Sequence, residues 1–135
     1  MKRVIVLILF LSLCFLPAQI MAETAEYKAE IGSDGVQKVQ IMATSYSFEP
    51  KHIIVKANVP VEISAKKEAG IVPHNITLNA PEAGINFSES LSTEPVTIKF
   101  SPTKAGTYTF FCNKKAPFSK SHREKGMEGI LEVRE

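Results

Sequence analysis

Cysteine is scarce in this chain of 135 residues: there are two, Cys14 and Cys112. Histidine occurs three times, as His52, His74 and His122, and never as a His-x-His pair, so a site built on such pairs finds no support. Beyond the first twenty residues no apolar run is long enough to cross a bilayer. Helical periodicity is almost missing as well, which argues against an all-helical fold.

What is present begins with an export pattern. Lys2 and Arg3 precede the apolar run Val4 to Leu16, then Pro17 and a small-residue exit at Ala22. Residues 1–22 are therefore expected to be a signal peptide. Ile20, three residues before the cut, is an imperfect fit, and an uncleaved anchor is the alternative. The expected location is the periplasm or outside the cell. Removing 1–22 leaves Cys112 as the sole thiol, so no internal disulfide forms, and that thiol pairs with another chain, reacts or binds metal. It also removes two of the sixteen basic residues, and the remaining fourteen balance fourteen acidic ones. A neutral domain with no membrane span offers no case for binding nucleic acid.

Residues 23–35 carry Gly32, Asp34 and Gly35 without a clear period and are expected to be a flexible leader or an edge strand. From residue 36 to 135 short strands alternate with turns. Val39, Ile41 and Ala43 alternate with Lys38, Gln40 and Met42; Ile53 and Val55 alternate with His52, Ile54 and Lys56. Val61, Ile63 and Ala65 repeat the pattern, and Ile71 to Leu78 is expected to be a strand entered through Pro73. Asn79 to Glu94 is expected to be a long connection with a helical turn. Val96, Ile98 and Phe100 share a face, as do Tyr108, Phe110 and Cys112, and then Leu131 and Val133. About seven short strands at this spacing predict an all-β antiparallel sandwich.

The chemistry gathers near the end. Cys112, His122 and Met127 are spaced C-x9-H-x4-M, with His74 38 residues before the cysteine. Thiolate, imidazole and thioether are soft or borderline donors, and copper suits all three. Zinc is disfavoured because methionine is not among its usual ligands. Nucleophilic catalysis by Cys and His has no support beyond the two residue types.

Four stretches carry a family resemblance: Phe48-Glu49-Pro50 with Ile53-x-Val55-Lys56-Ala57; Val72-Pro73-His74-Asn75; Pro102 to Cys112 with its Gly-Thr-Tyr strand; and Gly126-Met127-Glu128-Gly129. Over residues 36–135 the chain resembles the cupredoxins, the type 1 blue copper proteins. The resemblance implies a Greek-key β-sandwich binding one type 1 copper through His74, Cys112, His122 and Met127. It further implies a non-enzymatic carrier of single electrons. The nine residues between Cys112 and His122 exceed the two to four usual in plastocyanin-like and azurin-like proteins, and resemble the longer loops of nitrite reductases and of oxidase subunit II. A periplasmic copper chaperone or store is the alternative.

The loop between Cys112 and Met127 carries Lys114, Lys115, Lys120, Arg123 and Lys125 against Glu124 alone. Beside His122, taken as the exposed one of the set, such a rim would steer a redox partner with an acidic docking surface, a cytochrome or an oxidase or reductase. Asn75 is expected to hydrogen-bond near the cysteine sulfur. His52 is expected to be a solvated strand residue, and the sequence offers no account of Phe111.

Overall fold

The computed structural model describes residues 25–135, and the expected signal segment lies outside them. Ten strands follow in order: β1 (Glu26–Lys28), β2 (Gln37–Ala43), β3 (Phe48–Glu49), β4 (His52–Lys56), β5 (Val61–Lys67), β6 (His74–Ala80), β7 (Ile85–Leu91), β8 (Val96–Phe100), β9 (Gly106–Phe111) and β10 (Glu128–Arg134). They form the all-β sandwich, with one sheet ordered β1-β4-β10-β9-β6-β7 and the other β3-β2-β5-β8. Pairing is mixed, because β4 runs parallel to both β1 and β10, and β2 parallel to β5.

The alternation in the sequence produces the core. Val39, Ile41 and Ala43 of β2 and Val61, Ile63 and Ala65 of β5 point inward from one sheet. Ile53 and Val55, Ile76 and Leu78, Phe110 and Leu131 meet them from the other, each fully or almost fully buried. Burying side chains of this size contributes about 1.5–3 kcal/mol apiece. Gln37 is a fully buried polar residue away from the histidines, and its amide is satisfied: Nε2 donates to the carbonyls of Lys56 and Val59, and Oε1 accepts from the N–H of Lys56. This side chain ties β2 of one sheet to the end of β4 in the other.

Three expectations need correction. The stretch Asn79 to Glu94 is mostly strand: β6 runs to Ala80, a 3-10 turn covers Pro81–Ala83, and β7 returns antiparallel to β6. As an edge strand, β7 buries only Ile85 and Leu91, so its polar middle hides the strand pattern. The strand before it starts at His74 rather than Ile71. Pro73 has no N–H to give a ladder, and Ile71 lies fully exposed in a bend. Ile54 is buried rather than outward, flanked in register by Lys28 of β1 and Glu132 of β10.

Gly129 on β10 allows a close approach that positions the site. A Cβ there would overlap the Phe110 ring and sit 2.8 Å from the carbonyl oxygen of Lys51. Gly129→Ala should therefore destabilise by about 1–3 kcal/mol, as overpacking does, read as a lower urea midpoint.

Candidate metal centre

The sandwich brings His74 and Cys112 together at one end. β6 and β9 are antiparallel neighbours, with Thr77 opposite Phe111, so the start of one strand meets the end of the other. Cys112 follows β9 directly and its side chain is inside. The main-chain N–H of Asn75 points at its sulfur, 3.4 Å away. The Asn75 side chain does different work: Oδ1 accepts from the N–H of Asn113 at 3.0 Å, and Nδ2 donates to the Thr77 hydroxyl at 3.1 Å. Asn75 thus anchors the chain after the cysteine to the strand that carries His74.

The segment from 113 to 127 is built from two local devices. Lys115 and Ser121 form an antiparallel bridge, and His122 donates its N–H to the Lys114 carbonyl at 2.8 Å. Ala116 to Lys120 is thereby pinched off as a protrusion, with Phe118 fully exposed at a φ of 58°. A helical turn follows, opened by a capping box: Ser121 Oγ accepts from the N–H of Glu124 at 3.2 Å, while Glu124 Oε2 accepts from the N–H of Ser121 at 2.7 Å. His122 is the first residue inside that turn. Gly126, at a φ of 90°, ends it and turns the chain into Met127. Met127 is wholly buried in the core, and its carbonyl accepts the N–H of Cys112 at 3.1 Å.

Three donor atoms converge as a result. Cys112 Sγ lies 3.5 Å from His122 Nδ1 and 3.9 Å from His74 Nδ1, and the two nitrogens are 3.2 Å apart. The circle through a triangle with those sides has a radius of about 2.1 Å, close to the ~2.0–2.1 Å of a zinc–imidazole bond and a little under the ~2.3 Å of a zinc–thiolate bond. One ion of that class fits among the three side chains without moving them far. The donor set, thiolate with two imidazoles beside a buried thioether residue, suits copper.

Burial first, then His122 and Lys67, hold His74 below the ordinary histidine pKa of 6.5; burial and Lys125 do the same for His122. Neutral imidazole is the form that binds metal. The folded pKa values lie below the unfolded ones, so acid protonates the unfolded chain first. Stability of metal-free protein is complete above the unfolded pKa and is lost as pH falls through the lowered folded values. Metal-free samples are expected to melt lower at about pH 5 than at about pH 7.5 in a thermal scan.

The Cupredoxin-like domain family matches residues 4–122, most of the chain. The chain belongs to this family. A comparison with curated protein sequences found no match. Among solved structures, the cupredoxin chain is similar to the metal-binding domain of the Cu(I)-exporting P-type ATPase CopA from Streptococcus pneumoniae D39, solved with Cu(I). The two are 26% identical over 84% of this chain and 99% of that one, with a TM-score of 0.62. It is also similar to a dithionite-reduced auracyanin from Roseiflexus castenholzii, at 17% identity, 79% and 99% coverage and a TM-score of 0.61. A copper-binding protein in its apo form gives 19%, 83% and 100%, and 0.59. The last two likenesses concern the fold alone. The family match ends at His122, so Met127 lies beyond it.

Within this cupredoxin fold several side chains have roles that pattern reading missed. His122 is buried, only 4% exposed, whereas the sequence suggested an exposed position. The Tyr46 ring stands edge-on to its imidazole, centroids 5.0 Å apart. Nothing local in the sequence joins residues 76 positions apart. Phe111 gains an account: the Arg123 guanidinium lies 4.1 Å over its ring, holding the helical turn against β9. His52 is only half-solvated. Its Nε2 is 2.9 Å from Glu132, and its Nδ1 is 3.9 Å from Glu26. The capping box, by contrast, was open to reading as Ser-x-x-Glu at 121–124.

Proposed function

We propose that this cupredoxin is an exported carrier of single electrons in which His74, Cys112, His122 and Met127 would hold one type 1 copper. The observation that carries the reading is the triangle of Cys112 Sγ and the two Nδ1 atoms, closed to a metal-sized gap. Copper bound there supplies one reversible electron by cycling between Cu(I) and Cu(II). The protein's part is to hold the donors still. Cys112 and His74 stand at the ends of paired strands, His122 sits in a capped turn, and the Asn75 N–H stabilises negative charge on the sulfur. Met127 is buried, and its main chain is hydrogen-bonded to both Cys112 and His122, so the segment that carries it is fixed beside them.

The proposed role is the transfer of electrons without catalysis. Further copper would need further histidines, and His52 is engaged with Glu132. Export is supported by the pattern of residues 1–22, and no helix among the described residues is long and apolar enough to cross a membrane. For the partner we propose a redox protein with an acidic docking surface. Exposed Lys115 and Lys120 flank the protruding Phe118, and Lys125 belongs to the turn that carries His122, so the end that holds the site is cationic and locally apolar.

A second reading is copper handling, as a chaperone or store. It is favoured by the likeness to a domain that was solved with Cu(I) and belongs to a Cu(I)-exporting ATPase. One experiment separates the two: load the protein with Cu(II), record optical and EPR spectra, reduce with ascorbate and reoxidise. An electron carrier turns intensely blue, bleaches, and regains its colour with the copper retained. A colourless complex, or one that sheds its copper on reduction, supports handling.

A further inference from the structure

On the reading that copper sits among His74, Cys112 and His122, we infer that Tyr46, clamped by Lys125, is the cover of the site on the His122 side. The opening of that side chain then sets how fast the metal is reached and lost.

His122 is almost without solvent contact, yet it lies at the end of the sandwich in a surface turn. Something from outside its own segment must cover it. Tyr46 belongs to the turn between β2 and β3, which is closed by the Thr44 N–H donating to the Ser47 carbonyl at 2.9 Å, and so hangs from the opposite sheet. Its ring meets the imidazole edge-on at an interplanar angle of 81°, while 38% of the tyrosine remains exposed. One end of this side chain is wet and the other rests on the imidazole.

Lys125 holds it there. Its ammonium lies 4.5 Å over the Tyr46 ring and 3.4 Å from the phenol oxygen. Lys125 and His122 share one helical turn, the Lys125 N–H donating to the His122 carbonyl at 3.1 Å. The turn that presents the imidazole therefore also presents the clamp. The contacts involved, an aromatic edge and a cation over a ring, are individually weak and reversible. They suit a cover that opens without unfolding, because the β2–β3 turn can swing while both sheets stay paired. The cover bears on function: a site that is closed this way keeps its copper through many electron transfers, whereas a site that opens readily delivers it.

The test uses the full copper-loaded chain, reduced with ascorbate and challenged with excess bathocuproine disulfonate, following the coloured Cu(I) chelate. Tyr46→Ala should release copper about tenfold faster, the loss expected from removing both ring contacts. Tyr46→Phe keeps the ring and should stay within about twofold. Lys125→Ala should accelerate release even though it removes a cation that would attract the anionic chelator. Wild-type rates in folded Tyr46→Ala or Lys125→Ala protein would overturn the inference. If the chain takes up no copper, the site reading fails but the cover is still testable. In metal-free Cys14→Ser protein, Tyr46→Ala should then speed alkylation of Cys112, and an unchanged rate counts against the cover.

Discussion

On the proposed type 1 copper reading, Cys112→Ser is expected to abolish the blue colour of the copper-loaded protein altogether. The intense absorption of such sites comes from charge transfer between a thiolate and Cu(II), and Cys112 is the only thiol among the described residues. Serine is close to cysteine in shape. Its hydroxyl can accept the Asn75 N–H that now points at the sulfur 3.4 Å away, so the metal-free fold should survive. What the variant lacks is an anionic donor soft enough for Cu(I). Loss of an outer hydrogen-bond partner of a metal ligand costs about 10–100-fold in affinity, and loss of the thiolate itself should exceed that range. Competition with a chelator of known affinity measures it, and a melting scan of the metal-free variant checks the fold. A Cys112→Ser protein that remained intensely blue would remove copper from this end of the sandwich.

Phe110→Ala is expected to give the largest loss of stability. Phe110 is buried on β9, two residues before Cys112, with its ring edge against Phe48 of the other sheet, centroids 5.3 Å apart. Its ring also fills the space that Gly129 leaves open on β10. Truncation leaves a cavity between the sheets directly beneath the site, at a cost of about 3–5 kcal/mol. Against a total stability of about 5–15 kcal/mol for a domain, that loss is a large fraction. Urea unfolding of the metal-free variant reads it directly. Phe110→Leu should recover part of the loss, because the cavity is smaller. Copper binding should weaken less than stability does, since none of the three converging donor atoms belongs to Phe110.

The sequence by itself carried the class of fold and the residues that converge. Period-two alternation in β2, β5, β8 and β9 is a local property, visible in any window of five or six residues. The same holds for Val-Pro-His-Asn at the start of β6 and for a lone cysteine followed by histidine and methionine. Edge strand β7 escaped because it buries little, and the register that sets Thr77 against Phe111 is invisible along a chain. Only the tertiary structure decided how the long loop behaves: the Lys115–Ser121 bridge absorbs its extra length, so His122 still returns to Cys112. Only the tertiary structure laid Tyr46 over His122, since packing between sheets joins residues that no periodicity links. Donor chemistry belongs to side chains and can be read from their names. Exposure, and with it the way into the site, depends on what a distant turn brings across.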